Sequence, residues 1–378
     1  MKRNLTWAML CLAAVAGLSC SRQSDDTNEI VIGEYGSLTG TTATFGTSTK
    51  NGIDLAIDEI NEKGGVLGKQ LRVVVEDDQG RPEEAQTVVT KLITRDRVVA
   101  LLGEVASSRS LAAAPVAQQN KIPMITPSST NPKVTQIGDY IFRTCFIDPF
   151  QGLVMAKFAT NTLKVKNVAV LRDIKNDYSV GLADVFVENF TKMGGNIVSD
   201  ESYSEGDTDF SAQLTAMKPK KPEAIFIPGY YTEVGLIARQ ARKLGLTTPL
   251  LGGDGWDSPR LWEIGGDSLN GSYYSNHSSM DDPNPVIQKF VADYKARFNE
   301  VPDSLAAGAY DSAHILVDAI RRAGSTEPAK LRDAIAQTKN FPGITGTITI
   351  DENRNAVKPA VILRVNNEKL EFVESVSP

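Results

Sequence analysis

Ala106 to Asn131 reads ASSRSLAAAPVAQQNKIPMITPSSTN, and within or at the edge of this stretch two apolar runs end in small hydroxyl residues. LLGEVASS stops at Ser107 and Ser108, and IPMITPSST stops at Ser128, Ser129 and Thr130. SLAAAPVAQQN between them reads as a helix, so the stretch spells strand, helix, strand. In a parallel sheet the strand carboxyl ends and the helix N-termini that follow gather along one edge, where N–H groups and hydroxyls can hold an anion. The stretch therefore reads as half of a ligand site. A local reading competes: Ser107 and Ser108 cap a helix, and Pro127 to Asn131 form a turn.

The same alternation extends outward. Upstream, EIVIGEYGSL, LRVVVEDD and VVALLGEV read as strands. NGIDLAIDEINEKGG places Ile53, Ala56, Ile57 and Ile60 on one helical face and stops at Gly64-Gly65. RPEEAQTVVTKLITRD opens with Pro82 and two acids, as a helix start does. Downstream of Asp148-Pro149 a second series begins, with strands NVAVLRD, NIVSDESY, AIFIPGYY and TPLLGGDGW separated by amphipathic helices. Repeated β-α units imply parallel sheets with right-handed crossovers. The expectation is an α/β protein of two Rossmann-like lobes, each a parallel sheet flanked by helices, joined by a multi-strand hinge.

Three late helices, NPVIQKFVADYKARFN, LAAGAYDSAHILVDAIRRAG and EPAKLRDAIAQT, need a sheet to cover. The first sheet has only three helices of its own, which sends residues 278–350 back to it. The expected division is 29–148 with 278–350 as lobe 1, and 149–277 with 351–378 as lobe 2.

Length and composition agree with this. A chain of 378 residues suggests about two domains of 150 to 170 residues. Hydrophobic residues make up 41% and charged residues 23%, ordinary for a globular protein. The net charge of -6 and the absence of a Lys/Arg-rich run give no electrostatic footprint for nucleic acid. Residues 1–19 read as a signal peptide, with Lys2 and Arg3 ahead of an apolar run shorter than the roughly 20 residues a membrane helix needs. Without them the chain carries 38 positive and 46 negative residues, a balance of -8. Residues 20–28 are a short polar tether. Cys11 lies in the signal and Cys145 stands alone in the body, so no intramolecular disulfide is expected. Cys145 reads as a buried small hydrophobe.

Residues just past strand ends are the pocket candidates. They are Gly36 to Gly46, Ser107, Ser108 and Ser128 to Thr130 in the first lobe, and Asp173 to Tyr178, Tyr230, Tyr231 and Asp254 to Trp256 in the second. Together they offer hydroxyl and N–H donors, aromatic rings and one strongly placed acid. A zwitterion leaving water needs both charges paired, because an unpaired buried charge costs several kcal/mol. Arg109 and Lys175 are the only nearby cations and are expected to keep their heads in water. The chain has no HxxxH, CxxC, G-x-S-x-G or G-x-x-x-x-G-K-[ST] pattern, so no metal, cofactor or catalytic pair is expected.

MITPSSTNP, IPGYYTEVGLIARQARKLGL and LLGGDGWDSP, in this order and spacing, resemble the leucine/isoleucine/valine-binding proteins of bacterial ABC importers. Gly17-Leu18-Ser19-Cys20 likewise resembles a bacterial lipobox, which implies a lipid on Cys20 and an extracytoplasmic, membrane-anchored protein. The family resemblance implies the type I periplasmic binding fold, a monomer that closes on a free amino acid, branched-chain or otherwise apolar, and delivery to ABC permease subunits. Carried over by residue, Ser107 and Thr130 would hold the α-carboxylate with N–H groups of the Ser107 and Ser128 loops. Ser128, in the Ser128-Ser129-Thr130 run, and Thr130 would accept from the α-ammonium, with Tyr230 and Asp254 closing from the second lobe. Phe45 and Tyr178 would cover the side chain, and Tyr310 would form part of the wall. Two departures stand out: Asp254 replaces a Glu one methylene longer, and Trp256 either reshapes the side-chain pocket or is a lobe-surface or hinge aromatic. A ligand-sensing receptor module of the same fold, binding an amide, urea or aromatic acid, is the alternative. No membrane-spanning, kinase or DNA-binding segment follows Pro378, which favours transport.

Overall fold

The computed structural model describes residues 28–378, so the signal peptide, Cys20 and residues 21–27 of the tether lie outside it. The elements run β1 (Glu29–Gly36), α1 (Ala43–Glu62), β2 (Gln70–Asp77), α2 (Pro82–Thr94), β3 (Leu101–Leu102), α3 (Ser107–Asn120), β4 (Met124–Thr126), α4 (Lys133–Gln136) and β5 (Ile141–Arg143). There follow α5 (Asp148–Lys157), β6 (Asn167–Asp173), α6 (Asp177–Lys192), β7 (Asn196–Tyr203), α7 (Ser211–Met217), β8 (Ala224–Phe226), α8 (Tyr231–Lys243), β9 (Leu250–Gly252), α9 (Pro259–Gly265) and β10 (Tyr273–Asn276). The chain ends with α10 (Pro285–Phe298), α11 (Ser304–Ala323), α12 (Pro328–Ala336), β11 (Phe341–Gly343), β12 (Gly346–Ile350), β13 (Ala356–Val357), β14 (Ala360–Asn366) and β15 (Lys369–Val376).

The first sheet is parallel, in the order β2-β1-β3-β4-β5. The second runs β15-β14-β10-β9-β8-β6-β7, and its parallel part repeats the same winding: first strand second, second strand at the edge, then three in sequence. Strands β14 and β15 extend it antiparallel beside β10. In such sheets the order reverses once, and the crevice beyond that switch point is where ligands bind. Here the switch points fall between β1 and β3 and between β6 and β8.

Both faces of the first sheet are covered, which is why its strands are apolar throughout. One face buries Ile53, Ile57, Ile125, Phe142, Leu316 and Ile320 under α1 and α11, while the other buries Ala85, Val89, Leu92, Ala113 and Met124 under α2 and α3. Helix α10 packs on α1 through Phe290, Tyr294 and Leu55. A small antiparallel sheet, β11-β12-β13, was not foreseen; its Ile348, Ile350 and Ala356 join the core beneath α11. The second lobe has one continuous core around Phe186, Phe190, Phe226 and Leu251. Residues 144–147, 277–284 and 358–359 cross between the sheets, in irregular rather than strand conformation.

Among the described residues no helix is long and apolar enough to cross a membrane.

Candidate functional site

The opening stretch meets neither reading of it in full. Ala106, not a serine, is the N-cap of α3, and no side chain caps it. Ser107 Oγ instead accepts from the Asn131 N–H at 3.2 Å, tying together the loops that follow β3 and β4. Ser108 Oγ donates to Asp177 Oδ2 at 2.8 Å and accepts from the Asp177 N–H, so it ties lobe to lobe. Ser129 Oγ bonds Ser110 Oγ at 2.7 Å and the carbonyls of Glu104 and Val105, and is spent within the first lobe. The N–H groups of Ser128 and Ser129 point at Thr126 Oγ1, at 3.3 and 2.9 Å. The donors left at this edge are the Ser107 and Thr130 hydroxyls and the first two N–H groups of α3, those of Ser107 and Ser108, since the Arg109 and Ser110 N–H groups donate to the Ala106 carbonyl.

The two edges face each other closely. Phe45 on α1 lies edge-on to Tyr230 and Tyr231, with ring centroids 5.2 and 5.1 Å apart, and Tyr178 stacks on Tyr230 at 5.5 Å. Asn176 caps α6 through the Tyr178 N–H, and Tyr230 is the N-cap of α8, so two helix starts aim both tyrosines into the cleft. Thr44 Oγ1 and Ser258 Oγ meet at 2.8 Å, and Thr232 Oγ1 donates to the Thr41 carbonyl at 2.7 Å.

Asp254 opens a single tight turn after β9 and is 4% exposed. Its Oδ1 accepts from Gln151 Nε2 at 2.8 Å; its Oδ2 accepts from His277 Nε2 at 3.1 Å and from Ser128 Oγ at 3.5 Å. A carboxylate has about four acceptor positions, so three bonds leave room for about one more donor. Burial holds the His277 imidazole below its ordinary value, with Asp254 opposing, so the neutral ring carries its proton on Nε2.

Gln151 and His277 were missed by sequence reasoning. Gln151 sits one turn into α5, where the short DPFQG segment carried a faint signal; His277 lies in the crossing and had none. A third missed residue is Asp148, fully buried with both carboxyl oxygens outside any hydrogen bond of good geometry. Burial pushes its carboxyl up to about 8, the nearby Thr130 hydroxyl opposes this, and the Asp254 charge adds to it. Asp254 thus has a neutral acid for a neighbour rather than a second anion.

Three expectations fail. Trp256 is fully buried beneath Gly252, and its Nε1 donates to the Ile227 carbonyl at 2.9 Å, so the indole fills the second core and not the pocket. Tyr310 lies on the far side of the first lobe, donating to Glu59 at 2.9 Å and packing on Phe290 and His314. Arg109 is 2% exposed, and its Nη2 donates to Glu205 of the second lobe at 2.7 Å. The reason is a local excess of buried acid: Glu104 and Asp78 face the same guanidinium. Lys175 is exposed, and Cys145 is buried with its thiol pushed up to about 12.

A model described as periplasmic binding protein matches residues 29–369. The chain belongs to the periplasmic binding protein family. Among its relatives, the Leu/Ile/Val-binding protein BraC3 of Rhizobium johnstonii is 34% identical over 326 residues, covering 86% of this chain and 88% of its own. The leucine-binding protein LivK of Thermotoga maritima superposes with a TM-score of 0.89 at 43% identity, over 92% of this chain and 99% of that one. LivJ of Streptococcus pneumoniae, a branched-chain amino acid transporter substrate-binding protein solved with isoleucine, gives 0.88 at 37% identity, over 93% and 100%.

Buried acids around this cleft make stability fall with rising pH. Glu34 in β1 is pushed up to about 8, chiefly by burial, and Glu104 reaches about 8 for the same reason with Asp78 adding. An acid whose folded value is raised keeps its proton in the folded state while the unfolded chain has lost it. Its contribution is whole below about 4.5 and disappears as pH climbs to about 8. Among the described residues His314, lowered to about 4, opposes this only below its ordinary 6.5, and Lys358, lowered to about 8, only above that. The melting temperature is expected to drop from pH 6.5 to 8, with a shallower drop in Glu34→Gln. Equal slopes in the two proteins would show that Glu34 does not titrate in this window.

Proposed function

We propose that this protein is the extracytoplasmic solute-binding component of an ABC importer and that it captures a free apolar amino acid, of the leucine, isoleucine and valine class, between its lobes. The observation that carries the reading is the buried carboxyl of Asp254, with three hydrogen bonds and room for one more donor, opposite hydroxyls and the N-terminus of α3. An α-ammonium would complete Asp254 beside Ser128, Thr130 and Tyr230, while the α-carboxylate would take the Ser107 and Thr130 hydroxyls and the α3 N–H groups. This separates the two ligand charges onto opposite partners, as desolvating a zwitterion requires. Phe45, Tyr178 and Tyr230 would enclose an apolar side chain. The relatives named for leucine, isoleucine and valine support the class.

Closure matters to delivery. Contacts such as Ser108 to Asp177 join the lobes, so a ligand that holds them together would present both lobes to a permease in one geometry. The signal segment and Cys20 support a lipid-anchored protein on the outer face of the membrane.

Calorimetric titration with the twenty amino acids, urea, small amides and aromatic acids tests the reading, and saturable binding of leucine, isoleucine or valine is expected. A response confined to compounds without an α-amino group would overturn it in favour of the receptor reading. The anchor has its own readout in the same work, since Cys20→Ser should leave the membrane fraction.

A further inference from the structure

A second cavity lies at the lobe junction, outside the amino-acid cleft. Its volume is about 450 Å³, within the range of about 300–1,000 Å³ that small-molecule sites occupy. Apart from Ser258, whose Oγ meets Thr44 Oγ1 across the lobes, no residue named at the cleft lines it. Its floor is the apolar surface of the second sheet, including Tyr274 and Leu363, and its mouth is framed by Val301 from the loop before α11 and by the crossing that carries Ser278 and Asp281.

Three features point to what it takes. Ser278 is 7% exposed, and its Oγ has no hydrogen-bond partner although it borders the cavity. A buried hydroxyl left alone is destabilising, and a polar atom of an occupant would satisfy it. Val301, at the mouth, is 65% exposed and extends the apolar lining to the cavity's rim. The charge is one-sided: five carboxyl groups, of Asp257, Glu263, Asp281, Asp303 and Glu368, line the cavity against one ammonium, of Lys369; Glu263 is paired with Arg260 and burial pushes Asp303 up to about 7, which leaves Asp257, Asp281 and Glu368 in excess. An anion is disfavoured here, and a bare inorganic cation would leave the apolar floor uncovered.

We propose that this cavity is a second ligand site for an amphipathic organic cation, an apolar ring or chain bearing an amine, and that its occupancy is coupled to closure of the cleft. The coupling follows from its walls. Leu363 belongs to the second sheet, Ser304 begins α11 on the first lobe, and Ser278 sits in the crossing between them, so lobe opening changes the cavity. A ligand that fits the closed arrangement raises affinity in the cleft, and by linkage the cleft ligand raises affinity here by the same factor.

Tryptamine is the probe, and indole-3-acetate, the same ring with the opposite charge, is its control. Titrated calorimetrically into protein saturated with leucine, tryptamine is expected to bind at least tenfold more tightly than indole-3-acetate. Val301→Trp, which fills the mouth, and Asp281→Lys, which reverses a charge at an exposed position, should each weaken tryptamine at least tenfold without lowering the melting temperature of the free protein. Tryptamine should also tighten leucine by the factor by which leucine tightens tryptamine. Absence of binding at millimolar tryptamine, equal binding of the acid, indifference to both substitutions, or displacement of tryptamine by leucine would each overturn the proposal. If leucine does not bind at all, the amino-acid reading fails alone, because tryptamine titrated into the free protein and the two variants still decides this one.

Discussion

Asp254→Asn is expected to weaken leucine binding about 100-fold, equivalent to about 3 kcal/mol. Asparagine keeps the size of the side chain and one acceptor for Gln151, so the fold and the hinge should survive. What disappears is the charge facing the α-ammonium. The site has no substitute for it, since Asp148 is pushed up to about 8 and is neutral at pH 7, and His277 donates rather than accepts at Nε2. Truncating one partner of a buried charge pair typically costs about 2–5 kcal/mol because the other charge is left uncompensated. Calorimetry on parent and variant checks it, and a dissociation constant within threefold of the parent's would remove Asp254 from ammonium binding.

The second large effect concerns the loop that follows β4, Pro127 to Pro132. Arg143, fully buried at the end of β5, donates to the carbonyls of Ser129, Asn131 and Pro132 and to Thr135 Oγ1. One guanidinium thus holds Ser128 to Pro132 against the first sheet from below, while the hydroxyls above face the cleft. Arg143→Met fills the volume but strands those carbonyls, each at about 1–3 kcal/mol, so a stability loss of about 4 kcal/mol is expected. Arg143→Lys should rescue little, because an ammonium cannot reproduce the planar fork. Denaturant unfolding of the three proteins reads this directly. If the Met variant unfolds at the parent's midpoint, the loop is held by something other than Arg143.

Both effects bear on how much the sequence disclosed. Strand ends were legible because apolar runs of four to eight residues and the hydroxyls closing them are neighbours in the chain, and sheet order follows from repeated β-α units. Tyr178, Tyr230, Asp254 and Ser107 were singled out this way, each within a few residues of a strand end. Trp256 was misplaced by the same logic: it stands two residues past Asp254, yet the tight turn between them sends its ring under Gly252 into the core. Arg109 was misjudged because its acids, Glu104, Asp78 and Glu205, arrive from three different loops.

What the amino-acid sequence determined by itself is the α/β alternation, the pair of similarly wound lobes and the edge of each on which a ligand would sit, all consequences of periodicity and of contacts short in sequence. Only the tertiary structure decided which side chains meet at that edge. Ser128 and Asp254 are 126 positions apart, and the imidazole of His277 reaches both because a crossing segment passes behind the cleft. The physical reason is that periodicity specifies which face of an element is buried, whereas the partner a buried polar group finds there depends on how distant segments pack, and a single chain read in order carries no local trace of that.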